Sequence, residues 1–297
     1  MSVRGIVRIL RLPLFVTAVA DVVAGYTVAT LLQGNPFDWR LAALLAGTSA
    51  GLYLFGMVQN DLVDVGRDRR LKAPRPLVVG ELGIGAAVIL LVLTAGLAAV
   101  CAAMLSMVTN RGGALTMAIG TFAAINLYNL AAKRGPVYVA VGVMGLCRFL
   151  NFGIGVVAAV GFPRDIGLEL FHPSGPLWVR HALTLFFATS VVTGYSICAR
   201  NGIRVSTRPW SVAFVASAVA GFAMIAFSVA GESPTFFAPV ARVFAALLLA
   251  GLWPGGLWSA AGPAREPRQY EPFIKRMLYW LIAMDAAFVF DAWLMTR

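Results

Sequence analysis

Apolar runs of about 20 residues recur along almost the whole of this chain, and nothing else in the sequence constrains its fold as tightly. A helix that long, rising ~1.5 Å per residue, covers ~30 Å, the thickness of bilayer hydrocarbon. The runs fall near 12–32, 41–58, 82–107, 114–131, 137–160, 181–199, 211–230, 238–258 and 277–294. They predict an all-α, polytopic membrane protein of about nine transmembrane helices. A soluble fold is excluded by composition, since 60% of the 297 residues are hydrophobic and 12% charged, with a mean hydropathy of +0.82. The fourth run follows only a short Arg111-Gly112-Gly113 turn, and the ninth carries Asp285 and Asp291. Short or tilted helices would suit both. The first run continues into a full span without a small-residue cleavage site, so it is expected to be an anchor. Residues 1–297 read as one transmembrane domain.

Orientation follows from lysine and arginine. With nine spans and the amino terminus inside, 17 of the 24 basic residues fall on the cytoplasmic side. They cluster at Arg4 to Arg11, Arg67 to Arg75, Lys133 and Arg134, Arg200 to Arg208, and Arg265 to Arg276. Arg148 and Arg242 lie inside spans. The net charge of +11 is thus explained by topology first, and by anionic ligands or lipid headgroups second. No nucleic-acid module is present in the sequence. A bacterial cytoplasmic membrane is the simplest setting, and oligomeric state is not legible.

The stretch from Asn60 to Asp68, N-D-L-V-D-V-G-R-D, concentrates Asp61, Asp64 and Asp68 in a chain with 13 acidic residues. On a helix their i, i+3, i+7 spacing places them within about 60° of one another. Like charges so placed disfavour the helix unless cations neutralise them. Mg²⁺ suits this arrangement, because it takes one or two carboxylates and fills its shell with water and phosphate oxygens. Arg69, Arg70, Lys72 and Arg75 follow at once, and arginine forks hydrogen-bond phosphate oxygens. Alternating acids and bases fit a metal-bound diphosphate. A solvated loop carrying positive-inside charges and incidental acids is the plainer reading. The motif is expected in a cytoplasmic loop near 59–81, with a second cytoplasmic loop near 199–210.

N-D-x-x-D-x-x-x-D after the second span, followed by Arg75-Pro76 and Gly80, resembles the first aspartate-rich motif of the UbiA superfamily of intramembrane prenyltransferases. Leu127 to Arg134, L-Y-N-L-A-A-K-R, looks like that family's segment at the end of span four. Met144 to Asn151 and Leu12 to Gly25 are similar to its EboC-like branch. The resemblance implies helices packed around a central cavity that opens toward lipid. It also implies transfer of an isoprenyl group from its diphosphate to an aromatic or lipid acceptor. Asp61, Asp64 and Asp68 would be the Mg²⁺ ligands, and Asn60 would orient them or donate to phosphate. Arg69, Lys72, Arg75, Lys133, Arg200 and Arg204 would hold phosphate, with Tyr128, Arg148, Asn151 and Tyr195 completing the substrate site.

One departure from the family pattern changes this expectation. The loop mirroring the first motif runs from Gly194 to Trp210 and carries no carboxylate; Ala199, Asn201, Gly202 and Ile203 stand where acids are expected. Arg200 and Arg204 would replace the missing metal charge, unless with Arg208 they serve topology alone. Glu266 and Glu271 are remoter substitutes. A second function therefore stands beside the first: a non-catalytic or weakly catalytic relative that binds or translocates a lipid or secondary metabolite.

Ionisable groups at membrane depth face the bundle interior and need partners. Asp21, Arg148, Arg242, Asp285 and Asp291 are such groups, and Arg148 with either Asp21 or Asp285 is an electrically sensible pair. Asn126, Tyr128, Asn129 and Asn151 would line a pocket or bond between helices. Cys101, Cys147 and Cys198 have no metal or redox spacing.

Overall fold

The structure is a computed structural model that describes residues 2–161, 177–201 and 270–296. These residues are helical with no strand among them. In chain order the helices are α1 (Val3–Leu10), α2 (Leu12–Leu32), α3 (Trp39–Arg70), α4 (Ile84–Thr109), α5 (Gly113–Leu130), α6 (Val137–Val160), α7 (Leu177–Asn201) and α8 (Tyr270–Met295). A 3-10 turn, Ala132–Arg134, joins α5 to α6.

Seven of the nine apolar runs are helices, with ends within a few residues of those expected, except in α3 and α8. The runs at 211–230 and 238–258 lie outside the described residues. Four described segments are long and apolar enough to cross a membrane: α3, α4, Gly113–Arg134 and α6. The fourth run, expected short or tilted, is among them. The chain is an integral membrane protein.

The main correction concerns α3. The second run was expected to end at 58 and give way to a loop carrying the motif, yet α3 continues to Arg70. Its 32 residues would extend ~48 Å, against ~30 Å of hydrocarbon. The motif therefore rides on a helix that projects beyond the apolar layer. The connecting loop proper is 71–83, where Lys72 (φ 50°) and Gly80 (φ +76°) turn the chain through left-handed backbone.

Chain entry is equally specific. Ser2 caps α1, its side chain accepting from Gly5 N at 3.0 Å. Arg11 then adopts left-handed backbone (φ 48°, ψ 45°) and ends α1, while Pro13 opens α2. Ile9 and Leu10 of α1 pack with Val58, Leu77, Leu82 and Ala87, so α1 and the 71–83 loop together cover the polar end of α3 and α4. Arg8 fastens this cover, bonding both Glu81 carboxylate oxygens at 2.7 Å and the Pro74 carbonyl at 2.5 Å.

Inside the bundle, α6 packs against α2, α5 and α7; α3 packs against α2, α4 and α5; and α8 packs against α2 and α7. The α2–α6 contact brings the two backbones close together. A Cβ on Gly155 would meet Tyr26 N at 2.6 Å, and one on Gly25 would strike the Phe152 carbonyl. Such approach of backbones is how membrane helices gain packing energy without a hydrophobic drive between them. In contrast, α4 leaves Ile89, Val92, Leu93, Val100, Met107 and Val108 exposed, an apolar face suited to lipid.

Candidate functional site

The last three turns of α3 bring Asn60, Asp61, Asp64 and Asp68 to one side, as the spacing predicts. Asp61 is 2% exposed and Asp64 9%. Carboxylates so buried need compensation, and three bases from three other segments supply it. Arg11 reaches Asp61 Oδ1 at 3.4 Å from the α1–α2 kink. Arg75, from the covering loop, stands 3.9 Å from Asp61 Oδ1 and 3.8 Å from Asp68 Oδ2. Lys133, from the 3-10 turn, sits 2.9 Å from Asp64 Oδ2 and donates to Asn60 Oδ1 at 3.0 Å. Asn60 Nδ2 in turn reaches Asp61 Oδ1 at 3.4 Å. Asn60 thus links Lys133 to Asp61.

Asp68 lies beyond the apolar part of α3. Burial raises its carboxyl above the ordinary aspartate range; Arg75 opposes the shift, and Asp64 and Asp61 reinforce it.

Oxygen donors of this kind match a hard cation. Asp61 Oδ2 is buried and accepts no hydrogen bond among the described residues, an acceptor awaiting a positive partner. Yet no three acidic, thiol or imidazole groups among the described residues converge into a metal cage. One or two carboxylates, with phosphate oxygens and water completing the shell, would be a donor set of the kind Mg²⁺ accepts.

The other expected residues divide. Arg69 and Lys72 are exposed at the end of α3, with no carboxylate within ion-pair distance among the described residues. Tyr128 is half-buried against the core that includes Val141 and Leu185. Asn151 Nδ2 donates to the Ala18 carbonyl at 2.8 Å, a tie between α6 and α2. Arg148 pairs with Asp21, which settles the choice between Asp21 and Asp285. Tyr195 and Arg200 belong to α7, but their side chains are outside the described set, as is Arg204 with all of 202–210. Arg208, Arg242, Glu266 and the Asp291 side chain are likewise outside it.

Two contributors were not singled out from the sequence as site residues. Arg11 looked like one more positive-inside charge, though Pro13 just after it signals the helix break that turns it toward Asp61. Gln59, one residue before the motif, donates to Asn126 Oδ1 at 2.7 Å and accepts from Asn129 Nδ2 at 2.9 Å. These amides lock α3 to α5 just below the acids, and with them the position of Lys133.

The comparisons with known proteins bear on the fold. No protein-family profile matches the sequence, and no curated protein matches it. Among solved structures, a UbiA homologue from Aeropyrum pernix K1 is 21% identical, with 92% of this chain and 96% of that one covered and a TM-score of 0.60. A UbiA homologue from Archaeoglobus fulgidus bound to DMAPP and Mg²⁺ is 16% identical over 96% and 99%, at 0.58. A structure concerning digeranylgeranylglyceryl phosphate synthase is 14% identical over 99% and 98%, at 0.59. The chain is thus a helical integral membrane protein. Its fold is that of these UbiA homologues.

Proposed function

We propose that this protein is an intramembrane prenyltransferase that moves an isoprenyl group from its diphosphate to a lipophilic acceptor, aromatic or lipid. The observation that carries the reading is the convergence of Asp61, Asp64 and Asp68 with Arg11, Arg75 and Lys133 at the polar end of α3. Acids and bases alternate there at a membrane boundary, where a ligand with an anionic head and an apolar tail would lie. The fold supports it as well, since the UbiA homologue from Archaeoglobus fulgidus is described bound to GPP and Mg²⁺.

Asp61 and Asp64 would hold Mg²⁺, with Asp68 as a further ligand; the ion supplies charge neutralisation for a leaving diphosphate. Arg75, half-exposed and shared weakly between two acids, would swing to the phosphate oxygens as the metal takes over those acids. Lys133 would remain on Asn60 and lend its charge to the head group. Arg69 and Lys72, exposed beside it, would draw the diphosphate in from the aqueous side. Arg200, at the end of α7, and Arg204 would complete the phosphate-holding set. The chain would sit in a bacterial cytoplasmic membrane with its amino terminus, the motif-bearing end of α3 and the segment near 199–210 cytoplasmic.

A second reading, a lipid- or metabolite-binding relative with little catalysis, is favoured by one observation: 194–210 carries no carboxylate. Membranes containing the protein, incubated with Mg²⁺ and a labelled panel of isoprenyl diphosphates, separate the two. Diphosphate release coupled to a labelled lipid product supports transfer. Neither release nor product, from folded protein with candidate acceptors present, supports the second reading.

A further inference from the structure

A second charged cluster lies well below the first. Asp21 is ten residues along from Arg11, which at ~1.5 Å per residue is ~15 Å deeper. Here α2, α6 and α8 bring one base against two carboxyl groups, with Asp21 fully buried, Arg148 9% exposed and Asp285 3% exposed. Arg148 donates through Nη1 to Asp21 Oδ2 and through Nη2 to Thr17 Oγ1, the latter at 2.6 Å. Its fork is thereby committed to α2.

Three carboxyl oxygens remain. Asp21 Oδ1 and both Asp285 oxygens are buried and accept no hydrogen bond among the described residues. Nevertheless Asp21 and Asp285 are neighbours across the packed contact of α2 with α8. Two ionised carboxylates contain no donor and cannot bond to each other. Charge leads to the same place, because Arg148 offsets one carboxylate and a second would stand uncompensated in a low-dielectric interior.

We propose that Asp21 and Asp285 share one proton, so that with Arg148 they form an electroneutral proton-binding site in the middle of the membrane, Asp285 being the member that carries the proton. The Asp285 hydroxyl donates to Asp21 Oδ1, which removes two of the three orphaned oxygens at once. Among the described residues the surrounding elements supply this pair with no second lysine or arginine. Besides Asp21, α2 contributes Thr17; α6 contributes Arg148 and Asn151; α3 contributes Tyr53. The α7 side offers His181, whose ring stacks on Phe288 with centroids 4.0 Å apart, about one turn from Asp285. This site stands on its own residues and holds whether or not the chain transfers a prenyl group.

Infrared spectroscopy of the purified protein in lipid at neutral pH reads the proton directly. A protonated carboxyl shows a C=O stretch that a carboxylate lacks, and carboxyl-¹³C aspartate shifts it. The expected result is a label-sensitive band in the wild type that Asp285→Asn and Asp21→Asn each abolish, since either change leaves one carboxylate facing Arg148. No such band in the wild type overturns the proposal, as does a band of wild-type strength in either variant. Should the amides prevent folding, Asp285→Glu keeps an acid at the position and takes it out of the labelled set. The band then loses its aspartate isotope shift, and a band that keeps the shift overturns the proposal.

Discussion

The two charged regions of this molecule obey opposite rules. At the polar end of α3, three carboxylates meet three bases from separate segments, at separations of 2.9 to 3.9 Å. Several of these pairs are long and partly exposed, the Arg75 side chain being 40% exposed. In the interior, two carboxyls meet one arginine, all but sealed from solvent. Loose, matched charges can be redistributed when a ligand arrives. A tight, unmatched set cannot, and must be completed by a proton or a cation. One region is built to exchange partners and the other to keep them.

The sharpest way to break this contrast is to remove the base from each region. Arg148→Ala should destabilise the protein by ~3–5 kcal/mol, because it strands buried carboxyls. Arg75→Ala, at the half-exposed rim, should cost only ~0–1 kcal/mol. Thermal denaturation in detergent measures both, and equal losses would erase the distinction. Next in size, Gly155→Ala should cost ~1–3 kcal/mol by forcing α2 from α6, visible as a lower melting temperature even though neither charged region is touched.

Lys133→Ala sharpens the comparison on the ligand side. By loosening Asp64 and Asn60 it should weaken Mg²⁺-dependent binding of an isoprenyl diphosphate by ~10–100-fold, the scale seen when a group that orients a metal ligand is lost. Calorimetric titration with and without Mg²⁺ reads it, and unchanged affinity would remove Lys133 from the site. Smallest of all, Glu81→Ala frees Arg8 and the covering loop at a cost of ~0–1 kcal/mol. Its expected signature is faster proteolysis within 71–83, with little change in global stability.

Much of this was legible in advance because it rests on periodicity. Apolar length placed the described helices other than α1, and i, i+3, i+7 spacing put Asp61, Asp64 and Asp68 on one face. The helix that carries them was harder to see. Asn60 to Arg70 lost the apolar run that marked α3 and looked like a loop, whereas Arg75 and Lys133 neutralise its acids and Gln59 ties it to α5. Those partners are distant in sequence, so no local signal announces them. Arg11 was hidden for a different reason: among so many arginines that flank the apolar runs, only the backbone turn at that residue separates it from the rest. The pairing of Arg148 with Asp21 depends on α2–α6 contact through Gly25 and Gly155, which sequence spacing does not reveal.

The central claim is that the acids of α3 hold the head group of an isoprenyl diphosphate. The most direct test compares wild type with Asp64→Asn, both verified as folded in membranes, for Mg²⁺-dependent release of diphosphate and formation of labelled lipid product. The account predicts product with the wild type that requires Mg²⁺ and disappears with Asp64→Asn. Product formed equally by both proteins, or independently of Mg²⁺, would contradict it.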